Sequence, residues 1–437
     1  MISIIFFFIS ITLSQELKGN CGVDCQWELN NSTKTLTISG TGQMYDFAED
    51  GNPEWYEHRS YIKKVVINEG LTTIGEYAFN HHSALENVKF PSTLVHIKDS
   101  AFMYCFVLNN VTIPDKVDII GADAFTSCLN LTNIKLGKAV TRLEDRAFGF
   151  CVKLKSIVIP DSLTYIGEKT FTNCIQLESI TGMKGLTQIP ANCFYNCKAL
   201  KTIELPFSID SIRAQAFKGC QSLKEIYIPD AVQFIGPDAF HGCKSLESVT
   251  GMKSLKEIPI YAFYECGSLQ KFDVPEGVKQ ILGEAFGYCS SLTSLKLPAT
   301  LEKIGNNAFH ECDSLSSIEI PSNVSSIGKQ AFAECNKLSI VSFTGKNTVS
   351  CDNSVFTNSP VERITVNPEY PNMTFCGIQT IGNEQDSGLD KSTKILIISL
   401  CVCVALLIAF LAILVVIFNC LKNKCCNKDA SYQSLGN

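Results

Sequence analysis

From Cys105 to Cys335 a cysteine stands at every twenty-third residue, eleven in all. Thiols in one register suggest disulfide bonding if the chain is secreted, since coils stacked one repeat apart would bring their Cα atoms within bridging range. Metal ligation fits less well. No Cys-x-x-Cys pair recurs and no histidine column runs beside the thiols, so no metal is expected. The remaining reading is packing: each column cysteine lies between a Phe and a Leu, and a buried free cysteine acts as a small hydrophobe. Packing is favoured over bridging, because His82 and Asn358 take the slot in the first and last full coils. The end cysteines differ. Cys351 and Cys376 lie about one coil apart, where a bridge would pin the last coil against fraying. Cys21 and Cys25 are placed to pair near the amino end, and Cys193 stands in an Ala slot as one more small buried residue.

Other chemistry is hard to find. There is no phosphate loop G-x-x-x-x-G-K-[ST], no H-E-x-x-H and no G-x-S-x-G. The histidines, from His58 to His310, scatter along the chain with no matched nucleophile, and nothing marks a carboxylate pair. The 437 residues are 46% hydrophobic and 18% charged, with a net charge of −6. Such a chain can bury a large core, and it lacks the basic excess that nucleic acid calls for. Neither enzyme activity nor a cofactor is expected. A scaffold repeated many times suits a broad binding surface.

The thiols are positioned by a repeat. Phe79 opens a run of twelve phenylalanines spaced by 23 residues and ending at Phe332; one added residue puts the next at Phe356. Before Phe79, Trp55 and Tyr56 occupy the Ala-Phe slots. The unit reads A-F-x-x-C-x-x-L-x-x-I-x-I-P-x-x-L-x-x-I-G. In Leu223–Pro229 the apolar residues alternate, which predicts one strand per unit, ended by a proline without an N–H. The Ile235-Gly236 pair predicts a turn where glycine accepts unusual dihedrals. Sequences such as PDAF, Pro237 to Phe240, suit the first turn of a short helix.

One unit is too small to fold alone, so neighbours must stack into a solenoid. The expected fold is a leucine-rich repeat solenoid, with a parallel β-sheet on one face and short helical turns and loops on the other. Fourteen coils from Ile62 to Val366, at about 4.8 Å per strand, give a length on the order of 65 Å. Two coils put Gly182 and Gly251 where the second strand Ile belongs, which predicts local loosening of the sheet. The outward strand positions are small, polar and of mixed sign, with Tyr227 as their one aromatic. Lys155, Lys201, Lys224 and Tyr227 are the candidate contact residues there. The turn side is more aromatic, with Tyr104, Phe150, Tyr195, Tyr264 and Tyr288.

The ends carry address signals. Residues 1–14 read as a signal peptide cut near Ser14 or Gln15. Residues 15–60 form an amino-terminal cap, 61–368 the repeats and 369–394 a juxtamembrane linker. Residues 395–418 carry no charge and are long enough to span a bilayer as one transmembrane helix. Lysines follow in the tail, 419–437, as a cytoplasmic side calls for. Lys391 and Lys394 on the other side weaken that contrast, and it is the signal peptide that predicts a single-pass type I protein of the plasma membrane with its repeats outside. Tyr432-Gln433-Ser434-Leu435 fits the Y-x-x-Φ pattern read by clathrin adaptors, and Cys420, Cys425 and Cys426 suit palmitoylation.

The L-x-x-I-x-I pattern, the AF..C phrase and the proline after the strand resemble the BspA-like class of leucine-rich repeats. Cys25–Phe47 resembles that class's amino-terminal cap and Tyr61–Phe79 its first coil. The class occurs in surface proteins of bacteria and protists, and the membrane span resembles a membrane-anchored protist subset. The resemblance implies adhesion, with a protein or glycan ligand on host cells, matrix or other microbes. Two rivals stand beside it: an endocytic cargo receptor using the tail motif, and an inert variable surface coat.

N-x-[ST] sequons begin at Asn30, Asn31, Asn110, Asn130, Asn323 and Asn372. Asn130, beside a core Leu, is the least suited to carry sugar. Glycosidase treatment of the native protein should therefore increase its gel mobility; unchanged mobility would count against glycans at Asn30, Asn31, Asn110, Asn323 and Asn372.

Overall fold

Each unit offers more backbone than its own side chains can satisfy, and the structure meets that demand with hydrogen bonds between coils. The structure, a computed structural model, describes residues 17–48, 51–382 and the single residue Ser399. The reading of residues 1–14 as a signal peptide lies outside the described residues. So do the proposed transmembrane segment (save Ser399) and the tail with Tyr432 and Leu435. Among the described residues, no helix is long and apolar enough to cross a membrane.

The alternating strand of each unit forms the main sheet. Leu17–Gly22, Cys25–Asn30 and Thr35–Gly40 make an antiparallel cap. Thr35–Gly40 then runs parallel to Lys64–Ile67, and the later pairings of the main strands up to Val341↔Ile364 are shifted by one repeat, as in Asn110↔Asn133 and Ser156↔Ser179. Ten strands pair without a break from Leu17 to Ile203. Breaks follow between Thr202–Ile203 and Glu225–Ile228, between Ser248–Gly251 and Lys271–Asp273, and between Ser294–Lys296 and Ser317–Ile320. The expected loosening is met at one glycine coil: the Gly251 strand borders the second break, whereas the Gly182 coil is not open. Ser179–Thr181, just before Gly182, pairs on both sides, and Gly251 pairs with Ile228. At these glycines the backbone takes φ +98° and +93°. Met183 and Met252 follow with positive φ and fill the core.

A second strand column corrects the expectation of one strand per unit. The residue pair ending at the Ile of the I-G slot, such as Ile119–Ile120, Arg142–Leu143 and Tyr165–Ile166, forms its own parallel ladder, whether Gly or another residue follows. Gly236 is needed there for space. Its φ is not left-handed, but a Cβ would lie 2.3 Å from the Ala214 nitrogen.

The helical turns expected around each Phe are absent. In the coil of Phe217, the N–H groups of Gln215, Phe217 and Gly219 donate to Pro237, Ala239 and His241 of the next coil at 2.8–2.9 Å. The alternate N–H groups, on Ala216, Lys218 and Cys220, donate three residues back within their own coil at 3.1–3.3 Å. An α-helix needs every N–H for its own i−4 carbonyl, so forward donation forbids one. Gln215 and Gly219 take left-handed φ of 57° and 77° to aim these bonds. Among the described residues the 3-10 turn Glu54–His58 is the one helical segment besides the isolated Ser399.

The core is a stack. Rings from Phe79 to Phe356 lie on one another with centroids 5.1–5.8 Å apart. Trp55, rather than Tyr56, extends the stack, with its centroid 6.0 Å from Phe79. The column thiols are buried and free. Each donates to the carbonyl of the Phe in the preceding coil, from Cys105 Sγ to Phe79 at 3.2 Å through Cys335 Sγ to Phe309 at 3.2 Å. The last slot belongs to Ser359, not Asn358: the added residue shifts the register, and Ser359 Oγ donates to Phe332 O at 2.7 Å. Asn358 is exposed.

Both ends are closed covalently, by Cys21–Cys25 and by Cys351–Cys376, whose Cα atoms are 4.9 and 5.4 Å apart. The sheet continues past residue 368. Ile378–Ile381 pairs parallel with Arg363–Val366 and antiparallel with Thr374–Phe375.

Burial pushes the Cys174, Cys243 and Cys289 thiols from an ordinary 9.0 up to about 12. The thiol contribution to stability is whole below pH 9, where folded and unfolded thiols are both protonated. It is lost as pH rises towards 12, because the unfolded chain gives up its protons first. Each thiol should then cost about 1.4 kcal/mol per pH unit. Urea unfolding between pH 8 and pH 11 should show this fall, with fewer protons released by Cys220→Ala. A disulfide-bonded column would show no thiol contribution.

Candidate ligand-contact face

Two outward columns of the main sheet define the site. One reads Thr181, Glu204, Tyr227 and Thr250; the other reads Ser179, Thr202, Glu225 and Ser248. They line an open groove of about 690 Å³ together with Leu205 and Phe207. The groove spans the first break in the main sheet and is framed by the two glycine coils.

Phe207 is the residue the sequence reading missed. It is 80% exposed, and its ring meets that of Tyr227, itself 44% exposed, edge-on at 6.2 Å. The turn that carries it is closed by Ile209 N–H to Pro206 O at 3.1 Å and by Ser208 Oγ to Leu186 O at 2.6 Å. A signal for it exists in the repeat. Read one coil at a time, its slot holds Asp161, Lys184, Asp230, Lys253 and Glu276 in the neighbouring units, so a Phe there departs from a charged column. At Gly251 a Cβ would stand 1.9 Å from Ile228 O, so the backbone of the preceding coil excludes a side chain there, with Tyr227 Cε2 3.2 Å away.

The four candidate contact residues are all exposed, but only Tyr227 lines the groove. Lys201 reaches back one coil to Glu178 at 2.7 Å. That ammonium holds the Glu178 carboxyl below its ordinary range, with a smaller pull from Lys155. Lys224 stands at the margin beside Glu225.

The aromatic turn side is largely spent on packing. Tyr104 stacks on His81 at 4.4 Å, and Tyr264 lies 4.9 Å from His241 and 5.2 Å from Tyr288. Burial, reinforced by Tyr288 and nearby carboxylates, pushes the Tyr264 hydroxyl up to about 12. Phe150 is 42% exposed and Tyr195 is half-buried. The sequon asparagines sit apart from the groove. Asn30 is capped by Ser32 and Thr33, Asn110 accepts from Asn133 at 2.9 Å, and Asn323 donates to Ala299 O at 2.7 Å. Asn31 and Asn372 are exposed, and Asn130 is half-buried and holds Lys153 at 2.6 Å. Among the described residues, no three His, Cys, Asp or Glu side chains converge on a point that would hold a metal.

A family profile described as the BspA type leucine rich repeat region matches in six copies over residues 52–169, 142–266 and 256–379. No curated protein matches the chain. Among solved structures, a leucine-rich repeat protein from Bacteroides ovatus is 26% identical, with a TM-score of 0.59; the match covers 82% of this chain and 97% of that one. A leucine rich cell surface protein from Faecalibacterium prausnitzii is also 26% identical, covering 74% of this chain and 93% of that one, with a TM-score of 0.40. The profile runs through the same stacked coils that carry the Phe and Cys columns, and the chain belongs to the BspA-type leucine-rich repeat family.

Proposed function

We propose that this chain is a cell-surface scaffold that mediates adhesion through protein contacts at the groove bounded by Ser179 and Thr250. The observation that carries this reading is the exposed Phe207–Tyr227 pair on an otherwise polar sheet. Aromatic anchors in a depression, rimmed by polar groups, are the usual centre of a contact surface. The repeat around them is a continuous support, stitched beneath the groove by the Cys220 and Cys243 thiols. The uncharged run at 395–418 supports a single-pass type I placement, with the solenoid outside the plasma membrane. Glycans at the exposed sequons fit that placement, and one on Asn110 would stand three coils from the groove. The solenoid is a scaffold type, and its column thiols are too deeply buried to act as nucleophiles.

Cells displaying the full chain should attach to cultured cell monolayers or to a matrix coat through this site. The double variant Phe207→Ala/Tyr227→Ala should lower attachment at least about ten-fold at equal surface level. Phe150→Ala, an exposed aromatic on the turn side, should leave it unchanged. Equal attachment by the groove variant and the parent would overturn the proposal.

A further inference from the structure

The groove carries two carboxylates that the protein does not use. Glu204 and Glu225 are exposed, line the groove, and make no hydrogen bond or ion pair among the described residues. Their neighbours in the adjacent coils are Thr181 and Tyr227 for Glu204, and Thr202 and Ser248 for Glu225; none is basic. Elsewhere on this face some acids are answered across coils, as by Lys63–Glu86 at 2.6 Å and Lys201–Glu178 at 2.7 Å, while Glu247 and Glu319 stand singly. Among the described residues, only at the groove do two unanswered acids lie on adjacent coils beside exposed aromatic rings. Lys201 is therefore engaged at the edge of the groove. Lys253, bound to Asp230 at 2.6 Å, lies within electrostatic reach of Tyr227, and Lys224 is at the margin. No lysine or arginine lines the groove itself.

Glu204 and Glu225 sit on adjacent coils two positions apart along the strand, so they are diagonal neighbours about 7–8 Å from backbone to backbone. A planar guanidinium suits that spacing. Its fork can meet carboxylates on two sides, while its flat face stacks on an aromatic ring. The Tyr227 ring stands beside Glu204, and Phe207 is edge-on to it. The same pair of carboxylates repels phosphate, sulfated sugars and anionic lipid.

We propose that the groove takes an extended peptide segment presenting an arginine, whose guanidinium sits between Glu204 and Glu225 and against the Tyr227 ring. This deepens the contact-site reading above and rests on it. The segment's backbone meets the Ser179, Thr181, Thr202, Ser248 and Thr250 hydroxyls.

The test uses the purified full chain in detergent and beads bearing a Gly/Ser peptide with one arginine. Matched beads carry citrulline, which keeps the shape and removes the charge, or a neutral glucan oligosaccharide. Arginine beads should be retained at least about ten-fold better than citrulline beads. Glu204→Gln/Glu225→Gln should erase that preference. Glu28→Gln/Glu319→Gln, which removes the same charge from the two ends of the sheet, should preserve it. Equal retention of citrulline beads overturns the proposal, as does equal loss in both double variants. Selective retention of the glucan beads overturns it in favour of a sugar. Self-association of the chain that Phe207→Ala abolishes overturns it in favour of a second copy. If Phe207→Ala/Tyr227→Ala blocks cell attachment while arginine beads fail, only the arginine assignment falls and the contact site stands.

Discussion

At each Phe turn from Phe79 to Phe309 a buried carbonyl waits for a donor from the next coil, and the cysteine column supplies it. The Phe102 carbonyl accepts the Cys105 N–H of its own coil at 3.3 Å and the Cys128 thiol of the next coil at 3.3 Å. Without the thiol that oxygen would keep only part of its bonding, at the cost of burying a polar group. A cysteine fits because it is small, apolar and still a weak donor. The same constraint shapes the backbone, since alternate N–H groups must face forward and the turn cannot wind into a helix. At the carboxyl end Ser359 takes the role with a hydroxyl. At the amino end the stack meets Trp55, whose Nε1–H closes on Ala78 O at 3.0 Å. His82 fills the slot there, kept neutral by burial that lowers it to about 4.

A structure so uniform confines its individuality to exceptions. Phe207 replaces a charged residue, Gly251 gives up a strand side chain, and the main sheet opens one coil after Gly182. These departures fall within a few coils and produce the groove. The main ladder is unbroken only on the amino side, up to Ile203, but the Phe stack and the thiol bonds run on beneath the groove, so the exposed rings stand on a continuous core.

The columns were legible in the sequence because a solenoid writes its core as a period. The Phe interval, the strand alternation and the small buried Cys slot all read directly from residue type. The Phe turn was misread as helical because its acidic and proline residues suit a helix start equally well; forward hydrogen bonding decides otherwise, and it leaves no mark in one unit. The second strand column was hidden in two-residue segments too short for alternation to show. Gly236 was assigned to turn geometry when the close backbone of Ala214 is the cause. Of the site, Tyr227 was visible as an aromatic on a polar face. Phe207 was not, because it lies outside the strand, and its exposure depends on a turn whose shape only the fold supplies.

The most direct test of the stitched column is the infrared S–H stretch of the folded protein, which falls in a window clear of other protein bands. The account predicts a band at lower frequency than that of the unfolded chain's thiols, losing intensity in steps with Cys197→Ala, Cys220→Ala and Cys243→Ala. A band at the unfolded frequency would show thiols that bond to nothing. Absence of the band would show bridged sulfurs. Either would contradict the claim that each coil is tied to the last through its cysteine.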